Sequence, residues 1–200
     1  VADSPRGTRA RPDALVAAAL PRLDEMLTNG TTTCEIKSGY GLTTESEIGQ
    51  LRAIRTLDST HAMDLVATFL GAHEIPREFE RNRAAYVSVV IEEMIPRVAV
   101  ERLAAWCDVF CEDGVFTPEE AYAILEAGKR AGLGARIHAD ELGPSGGSLV
   151  ALRVGARSAD HLVHCDRAGA EALATANVCA VLLPAASFYL KLGRFAPARM

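Results

Sequence analysis

The feature that most constrains this chain is a regular alternation. Short runs rich in β-branched and apolar residues are each followed by a polar or glycine-rich turn, then by a segment with helical periodicity. Six runs read as strands: Thr31–Lys37, Asp64–Ala72, Trp106–Glu112, Ala135–Ala139, Ser158–Val163 and Val178–Leu183. The helix-like segments between them are Glu45–Leu57, a long stretch Phe79–Leu103 broken near Pro96, Pro118–Ala131, Gly147–Gly155 and Asp166–Ala176. A further helix, Pro12–Thr28, precedes the first run, with Pro21 as a kink. Nothing after Pro184 looks strand-like except Ser187–Leu190. Thr117, Pro118 and the acids Glu119 and Glu120 form a helix start, whereas Asn29–Gly30, Gly132 and Gly134 are stop signals.

Strand-then-helix units in succession predict a parallel sheet covered by helices. An open doubly wound sheet and a (β/α)8 barrel both satisfy that pattern. No G-x-G-x-x-G follows any run, so the dinucleotide fingerprint is absent. Polar residues stand at the C-terminal end of nearly every run: Lys37 to Tyr40, His73-Glu74, Glu112-Asp113, His138 to Glu141, and Asp160-His161. An open sheet gathers its site at one switch point, whereas a barrel collects residues from many strand ends around one mouth. The barrel is therefore favoured, as one partial domain over residues 1–200 with about six of its eight βα units present.

Composition excludes several classes. Net charge is −5 and the 21 basic residues form no stripe with interleaved aromatics, so no nucleic-acid footprint is present. No apolar run approaches the ~20 residues of a spanning helix. Arg6, Arg9 and Arg11 precede no apolar segment, which argues against a signal peptide and for the cytoplasm. The chain opens on Val1, which points to a processed or truncated chain. The cysteines at 34, 107, 111, 165 and 179 include no C-x-x-C pair. Cys107 and Cys111 would lie about 13 Å apart on an extended strand, too far to bridge. Cysteines as small buried hydrophobes fit a reducing compartment, and Cys34 and Cys179 read as barrel packing.

Three of the five histidines, His73, His138 and His161, fall at strand ends. Each alone could be a satisfied polar group, but convergence at one mouth suits metal ligation or proton transfer. His138 opens H-A-D-E-L, placing Glu141 beside it as a candidate general acid/base; the same acids also suit a helix N-terminus. Gly143–Gly147 could cradle an anion or be an ordinary turn. Tyr40 stands between two glycines at the end of the first run, where a phenol can face the mouth. Lys37 has Glu35 or Glu112 as a possible partner. His61 sits in a polar loop, and His164, in a continuing strand, would face away from His161. The motifs S-x-x-K, G-x-S-x-G and H-E-x-x-H are absent.

The segments T-T-T-C-E-I-K-S-G-Y-G-L (31–42), F-L-G-A-H (69–73), D-V-F-C-E (108–112), I-H-A-D-E-L (137–142), S-A-D-H-L (158–162) and A-V-L-L-P (180–184) resemble the imidazolonepropionase family of amidohydrolases, which acts in histidine degradation. The resemblance implies a distorted TIM-type barrel with one zinc or iron ion. It also implies hydrolytic opening of 4-imidazolone-5-propanoate to N-formimidoyl-L-glutamate. It assigns His138 as a metal ligand, and His161 as the histidine beside the catalytic water. Glu141 becomes a substrate-contacting acid that also moves protons, and Tyr40 and His73 become substrate-binding residues. A homodimer is typical of the family.

The family's H-x-H pair, its nearby arginine and its T-D-x-N-P-G segment do not occur here, and Ala185 replaces an expected glycine. The expectation is a central part of the enzyme that alone neither binds metal tightly nor turns over substrate. Two other readings stay open: a related hydrolase of another cyclic amide or amidine, and a non-catalytic barrel that binds a small molecule.

Overall fold

A computed structural model describes residues 11–199. Val1, Arg6 and Arg9 lie outside the described residues. The chain divides into two compact units, one running to Trp106 and the other starting at Cys107.

The first unit opens with α1 (Pro12–Thr28), β1 (Thr33–Lys37), α2 (Thr44–Thr60) and β2 (Asp64–Ala72). β1 and β2 pair in parallel, Thr33 opposite Asp64 and Lys37 opposite Thr68. Alternation splits their side chains by face. Cys34, Ile36 and Leu65 pack with Leu23 of α1, Leu57 of α2 and Met63. Glu35, Lys37 and Thr68 share the polar parity; Thr68 donates to Glu35, and Lys37 pairs with Glu35 at 3.6 Å. Glu35 is thus a partner of Lys37.

The long segment after β2 is not one helix. A 3-10 turn (Arg77–Phe79) leads into α3 (Arg83–Ser88), a π-helical turn (Val89–Met94) and α4 (Ile95–Glu101). Pro96 supplies the physical reason. It has no N–H for the carbonyl four residues earlier, and its ring would collide with that carbonyl in a regular α-helix. The wider π turn accommodates it. The turn's Met94 is fully buried against the position of Gly71, and the Tyr86 hydroxyl donates to the Gly71 carbonyl at 2.8 Å.

The second unit holds β3 (Trp106–Cys111), α5 (Pro118–Arg130), β4 (Gly134–Ala139), α6 (Gly147–Val154), β5 (Ser158–His161), α7 (Arg167–Thr175), β6 (Cys179–Val181) and α8 (Pro184–Tyr189). β3 to β6 lie side by side in chain order, with β4–β5 and β5–β6 parallel. Thr117 caps α5: its side chain accepts from Glu120 N, and the Glu120 carboxylate accepts from Thr117 N. Gly128 and Gly147 are close-approach glycines. A Cβ on Gly128 would fall 2.8 Å from Cys107 Cβ, and one on Gly147 2.7 Å from Ala139 Cβ.

Two expectations need correcting. Ser187–Leu190 is not strand-like: Ser187 to Tyr189 lie in α8, which Pro184 starts, and Leu190 is its C-cap. Cys179 is exposed on β6 rather than packed inside, and Cys34 is half-buried. Among the described residues, no helix is long and apolar enough to cross a membrane.

Candidate active site

In the second unit the polar parity of the strands builds a cluster. Cys107, Val109, Ile137 and Ala159 are buried on the apolar side. Asp108, His138 and Asp160 take the other parity, and register places His138 opposite Asp160. Asp108 is fully buried, and its Oδ1 lies 3.0 Å from His138 Nδ1. Phe110 meets the His138 ring edge-on at 5.8 Å. Asp160 is held by a short relay: Arg136 donates to Ser158 Oγ at 3.2 Å, and Ser158 donates to Asp160 Oδ1 at 3.0 Å.

Alternation along β5 would turn His161 away from Asp160. His161 instead has φ +73°, followed by Leu162 at +56°, so the strand ends there and the ring lies 5.2 Å from the His138 ring. Such φ values are uncommon outside glycine and cluster at functional sites. His161 Nδ1 then sits 3.1 Å from Glu141 Oε1. Burial raises the pKa of the Glu141 carboxyl; His138 opposes that shift and Glu112 adds to it. His164 lies beyond the strand in a turn, with its Nδ1 3.5 Å from Arg194.

Glu112 fixes the loop carrying Glu141. Its Oε2 accepts from the backbone N–H of Glu141 at 3.0 Å and of Leu142 at 2.8 Å. Asp140 has a different task. Its carboxylate accepts from Ser145 Oγ, Gly146 N and Ser148 N at 3.0 to 3.4 Å. The glycine-rich turn therefore cradles a carboxylate of its own chain, which corrects the anion-site option.

In the first unit Tyr40 and His73 come together, ring centroids 4.3 Å apart. Tyr40 has φ +57° and follows Gly39 at +124°. His61 is a helix C-cap whose Nδ1 accepts from Met63 N, with Nε2 3.2 Å from Asp24.

The donor atoms of Asp108, His138 and Asp160 all lie within 4.8 Å of one another. With Asp108 engaged at His138 Nδ1, the other ring nitrogen of His138 and the Asp160 carboxylate are the groups of this cluster that suit a zinc- or iron-sized ion. Sequence reasoning found His138 and missed Asp108 as a site residue. The signal was present: an acid in the middle of the apolar run W-C-D-V-F-C, on the parity of Phe110 and Glu112.

Comparison with solved structures defines the class. An adenine deaminase from Arthrobacter aurescens superposes with a TM-score of 0.62 at 19% identity, over 85% of this chain and 52% of that one. A Xaa-Pro dipeptidase (TM-score 0.62, 14% identity) covers 93% and 51%, and an ochratoxinase from A. niger (0.59, 20%) covers 87% and 46%. The fold is thus that of the amidohydrolase-type (β/α)8 barrels, represented here by six strands. No family model matches the chain. Its sequence, however, is 53% identical over 176 residues to the imidazolonepropionase of Brevibacillus brevis, covering 88% of the chain and 42% of that protein. The Clostridium tetani imidazolonepropionase is 46% identical over 201 residues, covering 100% and 48%. The chain belongs to the imidazolonepropionase family, and it spans between 40 and 48% of the length of such relatives.

Proposed function

We propose that this chain contributes to hydrolysis of the ring C–N bond of 4-imidazolone-5-propanoate, giving N-formimidoyl-L-glutamate. The observation that carries the reading is the joint placement of His138, Asp108, Asp160, His161 and Glu141 in a chain about half identical to imidazolonepropionases. His138 would hold a zinc or iron ion through Nε2, since Nδ1 faces Asp108. When bound, that ion supplies Lewis-acid activation of water.

The chain's own groups do the rest. His161 orients the attacking water and takes one of its protons. Glu141, kept protonated to higher pH by burial, delivers a proton to the departing ring nitrogen. In balance, a carbon–oxygen bond forms at the ring carbonyl, the carbon–nitrogen bond breaks, and both water protons stay in the product. Tyr40 and His73 present a phenol and an imidazole to the substrate. The net charge of −5, with no basic stripe, gives no support to a nucleic-acid partner. A homodimer is the assembly that the family resemblance supports.

The test is a chimera in which residues 31–184 replace the matching stretch of the B. brevis protein. Conversion of 4-imidazolone-5-propanoate to N-formimidoyl-L-glutamate is the expected result. A folded, metal-loaded chimera that leaves this substrate intact yet opens another cyclic amide would overturn the substrate assignment.

A further inference from the structure

We infer that Glu47 is a positioning residue for Tyr40, clamping the loop after β1 so that the phenol stays against His73. The inference rests on Tyr40 being a substrate-binding residue, the role proposed above.

Glu47 lies in the first turn of α2, yet it does not cap that helix. Thr43 does so, accepting from Ser46 N at 3.3 Å. The Glu47 side chain is fully buried and turns back to the loop. Its Oε2 accepts from Gly39 N at 2.8 Å and its Oε1 from Leu42 N at 2.9 Å. One carboxylate thus bridges the residue before Tyr40 and the second residue after it.

The loop needs such a bridge. Gly39, Tyr40 and Leu42 have φ of +124°, +57° and +59°. Two of these three are not glycine, and each such conformation is unfavourable for an L-residue. Strain of this kind persists only where the surroundings over-determine it. Gly41 shows how tightly the carboxylate is seated: a Cβ there would lie 2.8 Å from Glu47 Oε1 and 2.7 Å from Gln50 Nε2. On the other side, a Cβ on Gly39 would meet His73 Cβ at 3.6 Å. The clamp therefore sets both the backbone under Tyr40 and its distance from His73. A glutamine in its place keeps one acceptor oxygen but turns an amide N–H₂ toward a backbone donor.

The experiment uses the full chain, isotopically labelled, with Glu47→Gln, Glu47→Asp and Thr43→Ala variants. Thr43→Ala weakens the same helix end without touching the bridge. In Glu47→Gln, amide exchange at Gly39 and Leu42 should rise about tenfold or more, and the Tyr40–His73 ring NOEs should fade. Glu47→Asp, too short to reach both donors, should give an intermediate result and serves if the glutamine variant does not fold. Thr43→Ala should lower the urea midpoint and leave those NOEs intact. Wild-type NOEs in both Glu47 variants, or equal loss of them in Thr43→Ala, would overturn the clamp. Titration with imidazole-4-propanoate probes the underlying reading separately. Shifts at Tyr40 and His73 that weaken in Tyr40→Phe support it; their absence defeats the substrate role alone, while the exchange data still decide the clamp.

Discussion

Replacing Asp108 is the most informative single change in the second unit. Its carboxylate is fully buried and meets His138 Nδ1 at 3.0 Å. Asp108→Ala leaves an imidazole nitrogen facing a void, at a cost of ~1–3 kcal/mol for the unsatisfied group. Loss of a carboxylate behind a metal-ligating histidine lowers metal affinity by ~10- to 100-fold, or about 1.4 to 2.8 kcal/mol. Asp108→Asn keeps an acceptor oxygen and loses the charge, so its effect should fall near the lower end of both ranges. Three assays read the outcome: urea denaturation, cobalt titration of the chimera carrying residues 31–184, and ¹⁵N shifts of the His138 ring. In the wild type the proton should sit on Nδ1; in Asp108→Ala it should redistribute toward Nε2. An alanine variant with wild-type midpoint, cobalt affinity and tautomer would refute the orienting role of Asp108.

Other perturbations follow from the same structure. Burial raises the Glu141 carboxyl pKa above its unfolded value, so the native state holds its proton longer and stability is lost as pH rises through the raised value. Glu141→Gln should therefore stabilise the chain more at pH 7 than at pH 4 in urea melts; a constant difference would contradict this. Burial pushes the Cys111 thiol up to about 12 and raises Cys107 further, whereas Cys179 is exposed. A thiol reagent at pH 8 should label Cys179 first and reach Cys107 and Cys111 only on unfolding, as mass spectrometry of the labelled peptides would show. Gly147→Ala would drive a methyl to 2.7 Å from Ala139 Cβ, and should lower stability by ~1–3 kcal/mol in urea denaturation.

Much of the fold was legible because its causes are local. Pro12–Thr28 and Asp64–Ala72 match the observed helix and strand residue for residue. The capping signature at Thr117 is a capping box in fact. The segment 79–103 was harder, since hydrophobic periodicity does not show that a helix widens to a π turn ahead of Pro96. β6 is shorter than its apolar run, with Cys179 and Ala180 exposed, because composition cannot say where pairing stops.

The site was legible where a residue type stood at a strand end. Tyr40, His73, His138, Glu141 and His161 all stand out in that way. Asp108 did not, because its position lies within the strand and its role comes from parity across to β4. The approach of His161 to His138 was expected from their strand-end positions, but not the left-handed φ that brings it about against the alternation rule. Glu47 and Glu112 belong to the same class. They act through backbone N–H groups that are distant in sequence or in a following loop, and no spacing rule marks such a contact.

The role proposed for His138 is to anchor a metal centre serving ring hydrolysis. Its most direct test is metal content and turnover of the chimera carrying residues 31–184, with and without His138→Ala. About one zinc or iron per chain is expected, with formation of N-formimidoyl-L-glutamate, both lost in a still-folded His138→Ala protein. Unchanged metal content and turnover in that variant would contradict it.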